Sequence, residues 1–219
     1  MKQVDLASSQ DANSPFGKLQ TQLQQAMKSG SAKALDTMAE MFSKGLDNHY
    51  VLIRNLIFPA ESKKGPGFVI PAVLVGPACL LAINPTDAQG FFRAKEDTWL
   101  EMEKNSQSYK PAPRNLIRDT LLMGDRLDEF MQGGGMSYPE IQPVLFFGDM
   151  GIHIESIRPV VRILQMDAVD RYLLGLRQDE ALLDARQVQA LVDYITGTSK
   201  ANLEAAKEAA RAFVKSQPE

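Results

Sequence analysis

Between Phe68 and Asn84 two apolar runs, Phe68 to Val75 and Cys79 to Asn84, are separated only by Gly76-Pro77-Ala78. The stretch from Ile70 to Ile83 is nearly apolar over 14 residues, yet Pro71, Gly76 and Pro77 interrupt it. A spanning helix needs roughly 20 consecutive apolar residues, so this segment does not cross a membrane. Its length, its β-rich composition and its tight turn instead predict an antiparallel hairpin. Pro71 removes a ladder donor from what should be an interior strand, which predicts a bulge or an edge there.

The other elements are read outward from this hairpin. Residues 1–14, rich in Ser, Gln, Asn and Asp, are expected to form a disordered tail. Leu19, Leu23 and Met27, then Leu35, Met38, Met41, Phe42 and Leu46, fall at helical spacing on either side of Ser29-Gly30-Ser31. They predict two consecutive helices. Tyr50 to Phe58 reads as a strand stopped by Pro59, Phe91–Arg93 and Trp99–Met102 as short strands, and Lys104 to Pro113 as a polar loop. Asn115 to Met131 has one apolar helical face and ends at Gly133-Gly134-Gly135. Strands are expected at Val144–Phe147, Ile152–Ile154 and Val160–Leu164, and helices at Ala168–Leu176, Ala185–Ile195 and Ala201–Val214. This order describes an α/β protein, a mixed β-sheet flanked by helices. The expected organisation is the tail at 1–14, a helical extension at 15–34, the α/β domain at 35–198 and a C-terminal helix at 199–219.

Composition narrows the function classes. The 219 residues carry 24 Lys and Arg against 27 Asp and Glu, for a formal net charge of -3, and no long segment is basic overall. Tight nucleic-acid binding usually needs a local excess of cations to displace counterions from phosphate. The polar N-terminus has no apolar core of a secretory signal, and the single Cys79 has no partner within the chain, so a cytoplasmic setting is expected. His49 and His153 stand alone, without metal-ligand spacing. There is no Gly-x-Ser-x-Gly nucleophile elbow. Gly133 to Gly135 follow a helix and precede a strand, the reverse of a phosphate loop.

Tyr50-Val-Leu-Ile-Arg-Asn-Leu-Ile-Phe-Pro59, Ile70-Pro-Ala-Val-Leu-Val-Gly-Pro77, and Gly90-Phe-Phe-Arg93 followed by Trp99 give the chain a further signature. Asn115 to Met131 and Gln142-Pro-Val-Leu-Phe146 extend it. Over roughly residues 35–195 the sequence resembles the nuclease-related domain (NERD) family, whose members look like distant relatives of restriction endonucleases. The resemblance implies a restriction-endonuclease-like mixed sheet flanked by helices, with extra N- and C-terminal helices.

In active relatives an Asp on the second strand and a Glu-x-Lys on the third hold Mg²⁺ against the scissile phosphate and position the attacking water. Aligned on the hairpin, these positions are Pro71, Asn84 and Thr86 in this chain. None supplies a carboxylate or an ammonium group. The resemblance therefore implies a degenerate, non-enzymatic member with no metal or other cofactor and a binding or scaffolding role. Its partner would be a protein or a weakly held nucleic acid, contacted through Lys63, Lys64, Arg93, Lys95, Arg114 and Arg118. The alternative is a divergent Mg²⁺-dependent nuclease with relocated carboxylates, for which Asp87, Glu96 and Asp97 are the acids close in sequence and Asp149 is an acid elsewhere that the sequence does not place.

Overall fold

A computed structural model describes residues 1–5, 31–58, 68–103 and 105–197. Ten strands form two sheets: β1 (Lys2–Asp5), β2 (Val51–Phe58), β3 (Phe68–Val75), β4 (Leu80–Thr86), β5 (Gly90–Lys95), β6 (Thr98–Met102), β7 (Tyr109–Pro111), β8 (Ile141–Phe147), β9 (Ile152–Ile157) and β10 (Arg162–Gln165). The described helices are α1 (Ser31–Gly45), α2 (Leu116–Gln132), α3 (Val169–Gln178) and α4 at residues 185–197. The larger sheet has the order β1-β2-β3-β4-β8-β10, and the smaller β7-β6-β5-β9. Strands β2, β3 and β4 run as an antiparallel meander, while β8 lies parallel to β4 and β10 parallel to β8. The chain is thus a mixed α/β protein.

Helix α1 folds because Ala34, Leu35, Met38, Ala39 and Phe42 recur at the spacing of one helical face, and that face is buried. It packs with α3 over Leu52, Ala72, Leu74, Leu81, Ile83 and Phe146. On the opposite face, α2 and α4 cover Val51, Ile53, Val73, Val75, Leu80 and Ala82. Apolar side chains on both faces explain the continuous hydrophobic hairpin, and each fully buried Leu, Ile or Phe contributes about 1.5–3 kcal/mol. Helix α2 starts where Asn115 caps it, its side-chain oxygen accepting from the Ile117 and Arg118 N–H groups at 3.1 Å each.

The smaller sheet grows out of the larger one. Strand β4 runs on into β5 and β8 into β9, and both pairs are parallel. The inner face of the smaller sheet carries Phe92, Ala94, Trp99 and Ile152 against Leu116, Ile117, Leu145 and Phe147. Phe92, Trp99 and Phe147 stack in series, with ring centroids 4.8 and 5.8 Å apart. The outer face holds Phe91, Arg93, Leu100, Tyr109 and His153.

Pro71 lies inside the sheet, not at an edge. The β2–β3 ladder skips Asn55 and Pro71, and the β3–β4 ladder stops at Ala72 and Ile83. Asn55 adopts φ 57°, the left-handed region in which Asn is enriched. Across this irregularity the strands exchange faces. Leu52, Ala72 and Leu74 pack toward α1, whereas Leu56 and Ile70 pack toward α2 although simple alternation would place them with the former set. The expected bulge or edge is not what forms: Asn55 and Pro71 stand opposite each other as one unpaired pair, and the register is the same on both sides of it.

Two further expectations are corrected. Residues 2–5, read as part of a disordered tail, form β1 parallel to β2, because an interior-type strand offers its backbone to even a short polar segment. The polar stretch 104–113 contains β7, paired to β6, so local polarity concealed a three-residue edge strand. The expected helices at Phe16–Met27 and Ala201–Val214 lie outside the described residues. No described helix is long and apolar enough to cross a membrane.

Candidate functional site

Asn84 and Thr86, two apart on β4, share its α2-facing side with Leu80 and Ala82. Pro71 is buried on the neighbouring strand β3. The space beside Asn84 is closed: its Nδ2 donates to Thr120 Oγ1 at 2.9 Å, and the Thr120 hydroxyl donates to the Leu116 carbonyl at 2.7 Å. Asn84 is 5% exposed and Thr120 0%. Thr86, also 5% exposed, accepts from the Ala88 N–H at 3.3 Å and so serves the turn that ends β4. These polar groups are occupied within the fold.

Next to Thr86 a cavity of about 340 Å³ opens between the sheets, with Phe92, Trp99 and Leu116 as apolar walls and Glu101 and Arg114 among its polar residues. Arg114 is ion-paired with Asp119. Two carboxylates, Asp87 and Glu101, line it together with Arg114.

The acids considered for a relocated metal site have separate uses. Asp87 sits by Gly148 and the start of α1; burial pushes its carboxyl up, Asp149 adds to this, and the Ala34 N–H and Lys33 pull it down. Its buried Oδ1 has no hydrogen-bond partner. Asp149 accepts from Gln89 Nε2 and the Gly151 N–H, both at 2.7 Å, and the Gly151 bond leads in holding its carboxyl below the usual range. Asp97 receives two bonds from Arg118, at 2.8 and 3.0 Å. Glu96 occupies the β5–β6 turn at φ 50°. Among the described residues no group of three or more His, Cys, Asp or Glu is placed to hold a metal ion.

No family model, curated protein or solved structure matches this chain. The residues and their geometry therefore carry the functional reading.

The four predicted basic residues that are described lie at two different elements. Arg93 and Lys95 lie on the outer face of the smaller sheet, while Arg114 and Arg118 flank and open α2. Arg93 donates to Glu155 Oε2 through Nε at 2.8 Å and its terminal nitrogen at 2.7 Å, and its guanidinium lies 4.0 Å above the Tyr109 ring. Lys63 and Lys64 lie outside the described residues. Cys79 is buried, which pushes its thiol up to about 12 and removes it as a nucleophile at neutral pH.

Sequence reasoning missed two features of this region. The Asn84–Thr120 bond joins residues 36 apart, and no local pattern announces it. Phe91 and His153 stack on the outer face at 4.7 Å and 13° because β5 and β9 pair in that register. Both residues were legible as strand residues; their meeting required the parallel pairing.

Proposed function

We propose that this chain is a catalytically degenerate nuclease-related domain that acts by binding or scaffolding. One observation carries the reading: Pro71, Asn84 and Thr86 stand where the resemblance places Asp, Glu and Lys, and the Thr120 hydroxyl engages Asn84. A phosphodiester-cleaving site needs carboxylates around a divalent ion and a group to position water. These three residues provide neither.

The topology supports the same reading. Helix α1, the antiparallel strands β2, β3 and β4, then α2 and a strand β8 parallel to β4 follow the order expected of a restriction-endonuclease-like core. The smaller sheet is an addition to that core.

The test is a cleavage assay on single- and double-stranded DNA and RNA with Mg²⁺ or Mn²⁺. The expected result is intact substrate. Metal-dependent cleavage that copurifies with the protein and is abolished by Asp149→Asn or Asp97→Asn would overturn the proposal in favour of relocated carboxylates.

A further inference from the structure

The outer face of the smaller sheet is open to solvent. Phe91 is 52% exposed and Ile157 37%, and His153 is exposed beside Phe91. Across the four strands this face presents two π surfaces: the Phe91–His153 stack at one edge and Tyr109 under the Arg93 guanidinium at the other. Leu100 and Met102 lie between or beside them, and Lys95 stands exposed at the end of β5. On this surface Arg93 is paired with the Glu155 carboxylate on the neighbouring strand, in a chain whose formal net charge is -3.

From this juxtaposition we infer that the outer face of the smaller sheet is a stacking platform for single-stranded nucleic acid. Nucleobases extend the Phe91–His153 and Tyr109–Arg93 stacks, and Lys95 and Arg93 meet the backbone phosphates. The inference deepens the binding reading above and rests on it.

Three physical points favour this occupant. Every base has a π face, so the exposed Phe91–His153 stack and the half-buried Tyr109–Arg93 pair accept unpaired bases without regard to sequence, whereas a duplex keeps its bases stacked inside. The two cations match phosphate in sign. The Arg93 guanidinium already lies 4.0 Å above an aromatic ring, and a guanidinium can likewise pack on a base. Glu155 competes with phosphate for Arg93, so the affinity of the native face is held low.

The experiment measures fluorescence anisotropy of a short labelled oligodeoxythymidylate with the full chain, in low salt and EDTA, against an abasic strand of the same length and a duplex. The expected result is binding of the single strand, with the abasic strand and the duplex each at least about fivefold weaker, since each stacked base contributes on the order of 1 kcal/mol or more. Phe91→Ala and Tyr109→Ala each weaken the single strand by at least about fivefold, and Glu155→Gln strengthens it. Equal binding of the abasic strand, unchanged binding by both aromatic variants, or no binding by either the parent or Glu155→Gln overturns the inference. So does sedimentation showing that this face is buried in a dimer that Phe91→Ala dissociates. EDTA separates this test from the nuclease question: failure here leaves the degenerate-domain reading standing, and cleavage on adding Mg²⁺ overturns that reading while stacking is scored independently.

Discussion

Thr120 is the residue on which the closure beside Asn84 turns, because its hydroxyl oxygen accepts from the Asn84 amide and its O–H donates to the Leu116 carbonyl. Replacing it by Val keeps the shape and strands the Asn84 amide in a dry environment. Thr120→Val is expected to destabilise the fold by about 1–3 kcal/mol in urea denaturation, the usual cost of an unsatisfied buried group. Asn84→Leu with Thr120→Val, which removes both partners, is expected to recover part of that loss. Asp87 and Asp149 give opposite pH signatures. The raised carboxyl of Asp87 means the folded state favours its protonated form, so its contribution is full in acid and is lost as pH rises through the folded pKa. Asp87→Asn is therefore expected to raise the neutral-pH melting temperature and to match the parent in acid. Asp149, held low by Gly151 and Gln89, contributes at neutral pH and loses that contribution as pH falls. Asp149→Asn is expected to lower the neutral melting temperature and to converge on the parent in acid.

At the level of elements, the docking of α1 leaves no space at one point. A Cβ at Gly148 would lie 2.7 Å from the Cα of Ala34, a backbone atom that yields only if the helix moves. Gly148→Ala is expected to cost about 1–3 kcal/mol, as overpacking does, read as a lower urea midpoint. The hairpin was legible in the sequence because both of its faces are buried, and an unbroken apolar run leaves few other solutions. Helices α1 and α2 were legible from their periodicity and, for α2, from Asn115. Strands β1 and β7 were not, since a short edge strand is recruited by its neighbour's backbone and carries no apolar signature of its own. For the site, the lack of a carboxylate or ammonium group at Pro71, Asn84 and Thr86 was readable in the sequence itself. The reason the space is closed was not, because Thr120 belongs to another element.

In the whole molecule, the two sheets are joined by the consecutive strand pairs β4–β5 and β8–β9, and Trp99, the single tryptophan, lies in the stack between them. Its fluorescence is thus a probe of sheet docking. Denaturation followed by tryptophan emission and by far-ultraviolet circular dichroism is expected to give one coincident transition; separated midpoints would show that the smaller sheet opens by itself. Phe147→Ala is expected to lower stability by about 3–5 kcal/mol and to shift the emission, since it removes one side of the Trp99 stack.

The left-handed Asn55 and the donorless Pro71 face each other across a sheet that swaps sides at that step, and the swap binds their histories together. Valine at 55 would be strained by about 1–2 kcal/mol in that backbone conformation. An ordinary strand residue at 71 would regain a backbone donor whose ladder partner has turned away. The two positions are coupled across the ladder, so a change at Asn55 or at Pro71 alone is expected to lower stability, and only a paired change is expected to leave room for a straight ladder there.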